Sequence, residues 1–363
     1  VLVVVFLRGA ADGLSFCPPM EDRNYPSWRP TTAIGPSEAL RLDGVFGLHP
    51  ALAPLKPFYD NRELALLHQV GLPGGTRSHF DAQDYVESGT PGVKSTETGC
   101  FARALAGLGE RRALDAVAVQ PSLPRFLQGD AQAMAFERFE DFRLSAAGQS
   151  GFEGLYRAAL DQTLRGTGQE AAEAMRVLRS KDPSKLPLRA TFPNSPLGRR
   201  LKLIAQLIHA DLEPRIAVTD CGGWDTHSNQ GGAQGALGNR MEDLAASLMA
   251  FQESLGKWRD RVLLLALTEF GRTARENGTR GTDHGYGSVA LALGSPVRGG
   301  RVLAHWRGLE EEHLFEARDL PVATDTRDLL GEALQGFLGV PGLGAVFPGH
   351  PNDPHRWPGF LKG

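Results

Sequence analysis

Two apolar runs separated by one long amphipathic stretch, Ile216–Thr219 and Arg261–Leu267, constrain this chain most. Between them Leu244, Leu248, Phe251 and Leu255 recur at a helical period, and Gly256 supplies the stop. A strand, a helix and a strand at this spacing predict a right-handed crossover between parallel strands. Val1–Leu7 is a further short, continuous apolar run, the pattern of a strand covered on both faces, and Leu64–Val70, Ala113–Val119 and Ser288–Leu293 read as further strands. The expected fold is therefore α/β, a mostly parallel central sheet with helices on both faces, forming a single domain over residues 1–363. Pro50–Tyr59 predicts a short helix and Pro18–Asp43 an irregular loop. Residues 128–202 read as a charged helical insertion or cap.

Composition narrows the class. A net charge of -3 supplies no basic field for nucleic acid or an anionic membrane. No apolar run approaches the ~20 residues that span a bilayer, so no transmembrane segment is expected. Cys17, Cys100 and Cys221 form no C-x-x-C pair, which argues against a thiolate metal cluster and leaves room for at most one disulfide. The opening VLVVVFLRGAADG reads as a strand rather than a signal peptide, so the chain is expected to be trimmed from a longer one. Oligomeric state and compartment leave no mark in these residues.

The chemistry gathers where strands end. Asp12 follows the first apolar run, Asp225 and His227 lie in TDCGGWDTHSNQ, Glu269 follows VLLLALT, and Asp283 and His284 precede SVALAL. In open α/β sheets the carboxyl edge is where ligands bind. Carboxylates and imidazoles grouped there are the usual donors for zinc, manganese or magnesium. Asp225 and Glu269 follow strands at one edge and so can converge, while His284 closes a long loop that must fold back over it. Local capping is the ordinary alternative for each residue alone, and Asp319, Asp325 and Asp328 are expected either to line the pocket or to cap a helix, with capping the favoured reading. Arg77, Ser78 and His79 open a polar helix, where free N–H groups favour an anion. Ser78 fits both an N-cap and a nucleophile, since one residue can serve as both.

Five segments, FLRGAADGLS, RSHFDAQDYVESGT, VTDCGGWDTHSNQG, LTEFGRTARENGTRGTDHGYGSVALALG and RDLPVATDTRD, resemble the bacterial domain-of-unknown-function 1501 family across nearly the whole chain. That family in turn resembles the alkaline phosphatase and sulfatase superfamily. The resemblance implies one or two divalent ions held by Asp12, Asp225, His227, Glu269, Asp283 and His284. It makes Ser78 the nucleophile. Because a guanidinium matches a phosphate bidentately, Arg77 or Arg272 is then expected to hold the ester's non-bridging oxygens, and Glu269 to serve as a general base if it is not a ligand. The implied activity is metal-dependent hydrolysis of phosphate, less readily sulfate, esters of a small molecule or polymer. Family members also imply export to the periplasm or surface. Two departures stand out: Phe270 replaces a paired ligand His, and Cys17-Pro18-Pro19-Met20 lacks the sulfatase signature. The competing expectation is a non-catalytic exported binding protein, with or without a structural metal, using an exposed Trp224 beside the pocket.

Overall fold

Leu2–Arg8 forms strand β1, and its side chains divide cleanly: Leu2, Val4 and Phe6 enter one apolar cluster, Val3, Val5 and Leu7 another. Side chains alternate across a strand, so a continuous apolar run can be stable only when both faces are covered. Each fully buried Val or Leu contributes roughly 1.5–3 kcal/mol, and none of these six is exposed. The computed structural model describes residues 1–109, 114–129, 133–139, 173, 176–178 and 180–363.

Short helices α1 (Gly13–Phe16) and α2 (Asn24–Trp28) follow β1, then a two-stranded pair, β2 (Leu40–Arg41) with β3 (Gly47–Leu48). The stretch Pro18–Asp43, expected to be irregular, is thus partly ordered. Next come α3 (Lys56–Asp60), β4 (Leu64–Gly71), α4 (His79–Ser88), α5 (Cys100–Gly107), β5 (Ala116–Val119) and β6 (Ala133–Phe136). Then follow α6 (Pro196–His209), β7 (Ile216–Gly222), α7 (Ala236–Ser254), β8 (Leu263–Leu267), β9 (Ser288–Leu293), β10 (Arg301–Leu303), β11 (Thr324–Asp325) and α8 (Thr326–Gly331).

The main sheet has nine strands in the order β10-β4-β9-β8-β1-β7-β5-β6, with β11 also on β4. Every pairing is parallel except those of β9, which runs antiparallel to both β4 and β8. One face of the sheet packs on α6 and α7, the other on α4, α5 and α8. The protein is a mixed α/β fold with a large, mostly parallel sheet. The single reversed strand matters for the site. Because β9 runs backwards, its amino end lies at the carboxyl edge of β1, β4, β7 and β8, and no fold-back of the preceding loop is needed.

Of the expected insertion 128–202, residues 130–132, 140–172, 174–175 and 179 lie outside the described residues. Its flanks contribute β6, paired to β5, and α6, packed within the apolar layer that also holds α7. Gly256 stands at φ +53 just past α7, the left-handed stop its position implied. All three cysteines are free. Among the described residues no helix is long and apolar enough to cross a membrane.

Candidate metal centre

Past the ends of β8 and β9 the antiparallel ladder continues irregularly. Gly271 N–H donates to Tyr286 O at 2.8 Å, Gly285 N–H to Gly271 O at 2.8 Å and Thr273 N–H to Asp283 O at 3.0 Å. This extension carries Asp283 and His284 back beside the segment that follows Glu269. Glycine permits the closeness: a Cβ on Gly281 would lie 2.3 Å from the His227 carbonyl carbon. On the far side a Cβ on Gly9, at φ +118, would meet the Asp225 nitrogen at 2.7 Å, so the turn after β1 needs glycine to reach the Asp225 loop.

Four side chains meet there. His227 Nε2 lies 3.0 Å from His284 Nε2 and 3.0 Å from Asp225 Oδ1, and His284 Nε2 lies 3.2 Å from the same oxygen. His79 Nε2 faces Asp225 Oδ2 at 3.5 Å and is buried without a hydrogen-bond partner. One donor atom each of His79, Asp225 and His284 falls within 4.8 Å of the other two.

The tautomers follow from the outer partners. His79 Nδ1 donates to Glu269 Oε1 at 2.8 Å, His227 Nδ1 to Asp283 Oδ1 at 3.0 Å and His284 Nδ1 to the Arg77 carbonyl at 2.8 Å. Ionised carboxylates and carbonyls only accept, so each Nδ1 must carry the proton. In the neutral rings all three Nε2 lone pairs then turn inward with Asp225. Lone pairs this close repel unless a cation, proton or metal, lies among them. Donors around a tetrahedral zinc with ~2.0–2.1 Å bonds sit roughly 3.3 Å apart. The contacts of Asp225 with the three rings and of His227 with His284 match that, while His79 and His227 stand wider apart. A ligating imidazole whose second nitrogen is held by a carboxylate or carbonyl is the usual outer arrangement of a metal site.

Charge distribution agrees with donor roles. Burial pushes the Asp225 carboxyl up, but the Arg272 guanidinium at 2.5 Å and the neighbouring imidazoles outweigh it and hold the group below its ordinary value. Burial likewise raises Glu269, and hydrogen bonds from His79, Gln83 and Thr268 overcome it, keeping a carboxylate at no exposure. The Glu269 hydrogen bond raises His79 in return. Burial lowers His284 and favours its neutral, donor-ready form. Asn277 and His227 hold Asp283 below its ordinary value. Asp225 and His227 are nearly half exposed, so the cluster opens to solvent on one side.

The expected set therefore divides. Asp225, His227 and His284 converge on the centre. Glu269 and Asp283 stand one layer out, orienting His79 and His227 rather than facing the centre themselves. Asp12 is a correction: its carboxylate accepts from Arg29 at 2.6 and 3.0 Å, from Ser15 and from Gln230, all buried, which leaves no face for an ion. Arg272 is another. Its buried guanidinium donates to the carbonyls of Gly9, Ala10, Trp224 and Thr282 and to Asp225, so it clamps three loops and offers nothing to a phosphate. Arg77 pairs with Asp319 at 2.6 Å and Glu316 at 2.7 Å, so Asp319 is an ion-pair partner rather than a cap. Ser78 does cap α4, its Oγ accepting from Asp81 N–H at 3.5 Å.

His79 is the residue that sequence reasoning passed over. It was visible only as a neighbour of Ser78 at a helix start, while its partner Glu269 lies 190 positions away. Phe270 stacks on His79 with ring centroids 4.9 Å apart, and it packs on His284 at 5.2 Å. The phenyl ring thus braces two imidazoles. Trp224 is fully buried against Phe16 and is no exposed platform. A second buried group, Asp325, Asp328 and His350, is neutralised internally: Arg327 pairs with Asp325, and Arg356 and His350 with Asp328. There Asp325 also caps α8, whereas Asp328 is an ion-pair residue.

No curated protein matches the chain significantly. A family model described as a protein of unknown function matches residues 63–345, a span that holds all four converging side chains, and the chain belongs to that family, DUF1501.

Proposed function

We propose that this protein is a metal-dependent ester hydrolase whose ion is held by His79, Asp225, His227 and His284. The observation that carries the reading is the set of three imidazoles whose Nδ1–H is committed to acceptor-only partners, leaving three Nε2 lone pairs beside one carboxylate. Three nitrogens and one oxygen suit zinc best among the divalent ions. Such an ion, when bound, supplies Lewis acidity toward an ester oxygen. The exposed side of Asp225 and His227 gives substrate access, and hydrolysis requires an ion so held to accept a fifth ligand or one of the four donors to yield its place.

The remaining parts are the chain's own. Glu269 and Asp283 set ring orientation and raise imidazole basicity. Ser78 stands next to His79 at the N-terminus of α4, where helix N–H groups favour the oxyanion of a hydroxyl nucleophile. Convergence of these groups at the carboxyl edge of a mostly parallel sheet supports kinship with the alkaline phosphatase superfamily, and phosphate esters are the first substrate class to try. A single ion fits better than two, because Arg29 already compensates Asp12.

The test is a screen of zinc-reconstituted protein on 4-nitrophenyl phosphate, bis(4-nitrophenyl) phosphate, 4-nitrophenyl sulfate and 4-nitrophenyl acetate. Turnover that disappears in His284→Ala and with chelator, and returns with zinc in the parent only, is the expected result. Ser78→Ala abolishes that turnover if Ser78 is the nucleophile and leaves it if water is. A fully metallated protein inert toward all four esters would overturn the reading.

A further inference from the structure

Beside the metal centre lies a cavity of about 320 Å³, walled by Leu72, Pro73, Tyr85, Pro91, Phe270 and Tyr286. None of the four donors lines it; it adjoins the centre through Glu269, which holds His79, and Phe270, which stacks on His79. Its volume is at the lower end of the ~300–1,000 Å³ typical of small-molecule sites. The lining offers three aromatic rings from Tyr85, Phe270 and Tyr286 and no lysine, arginine or histidine. Its charged members are both acidic. Glu269 is engaged by His79, Gln83, Gly9 and Thr268, and Asp81 is matched by the exposed Lys94 at 2.7 Å.

Among the described residues, three large apolar side chains are exposed: Val45, Phe80 at 90% and Val93 at 46%. Two of these, Phe80 and Val93, are chain neighbours of the lining residues Asp81 and Gly92. A phenyl ring left in water one position from a metal-facing histidine stabilises nothing in the free protein.

We propose that this cavity binds the uncharged aromatic group of the ester whose scissile bond faces the His79–Asp225–His227–His284 centre. The assignment rests on the hydrolase reading and adds the substrate's recognised half. An anionic group is disfavoured on physical grounds: its charge would lose water in a lining that holds two carboxylates and no cation of its own, the nearby Lys94 being paired to Asp81. A flat neutral ring gains offset-stacked or edge contacts with Phe270, Tyr85 and Tyr286.

Binding is measured by fluorescence titration of the full chain with 2-naphthol and with naphthalene-2-sulfonate, in chelator-treated and in zinc-loaded protein. In chelator-treated protein 2-naphthol is expected to bind saturably, and the sulfonate at least roughly tenfold more weakly, because its charge is buried without a partner. Ala82→Trp, which fills the cavity from α4, removes 2-naphthol binding. Should that variant misfold, Thr76→Arg tests the same point from the loop: the new guanidinium weakens the 2-naphthol preference and brings the sulfonate to at least equal affinity. No saturable 2-naphthol binding, equal binding of both probes by the parent, or an unchanged preference in Thr76→Arg would overturn the proposal. Zinc uptake without 2-naphthol binding overturns the cavity assignment alone. Binding of 2-naphthol by a chain that takes up no zinc overturns the hydrolase reading and leaves the cavity standing.

Discussion

Replacing Glu269 by Gln isolates the outer support of the centre from its donors. The carboxylate has no exposure, and Oε1 accepts from His79 Nδ1 at 2.8 Å, Gln83 Nε2 at 2.9 Å and Gly9 N–H at 2.9 Å. Glutamine has the same shape and keeps a carbonyl oxygen for these donors, while its amide can donate to Thr268 Oγ1. What disappears is the negative charge that fixes the His79 tautomer and raises its basicity. Loss of such a partner costs about 10–100-fold in metal affinity. By RT ln K that is roughly 1.4–2.7 kcal/mol. The assay is competition for zinc against a chromophoric chelator at pH 7.5, with the thermal midpoint of the metal-free protein measured in parallel. Weaker zinc binding with a metal-free midpoint within a few degrees of the parent is the expected outcome. An affinity within twofold of the parent, in a folded variant, would show that Glu269 is only a buried structural carboxylate.

Other consequences separate the centre from the scaffold. Asp12→Asn is expected to retain full metal content but lose about 3–5 kcal/mol of stability, because it leaves Arg29 charged, buried and uncompensated. Denaturation and elemental analysis of the same sample decide this, and metal loss in the folded variant would restore Asp12 as a ligand. His68, buried between Phe46 and Trp306, has its pKa lowered by burial to about 4. Below pH 6.5 the unfolded chain takes up a proton there that the native state refuses, so stability is complete above 6.5 and falls as pH drops toward 4. At pH 5 the penalty is on the order of 2 kcal/mol. His68→Phe is expected to flatten the stability profile between pH 7 and 5, and an unchanged slope would exclude the assignment.

The fold was legible wherever burial imposes a pattern. β1, β8 and β9 are nearly continuous apolar runs, and β4 is one broken only by His68 and Gln69, because both faces of the sheet are covered, and α7 shows its period because one face packs on that sheet. The reversed direction of β9 was not legible, since a two-sided strand reads the same either way. β6, with Ala133–Phe136 only partly buried at the sheet edge, left too weak a pattern to find. At the site, Asp225, His227 and His284 were visible as donors at strand ends. Their division from Glu269 and Asp283 was not, because whether a carboxylate faces an ion or an imidazole depends on about 3 Å of placement. Asp12 misled for a related reason. A strand-end carboxylate looks the same with an ion as with Arg29, and Arg29 arrives from a loop with no period to announce it.

The most direct measurement is zinc affinity and metal content of chelator-free protein beside His79→Ala, the donor that only the three-dimensional arrangement reveals. The expected result is about one equivalent in the parent, in line with a single three-histidine centre, and little in the variant. A parent that takes up no divalent metal after reconstitution, or a folded His79→Ala variant with parental affinity, would contradict the metal centre described here.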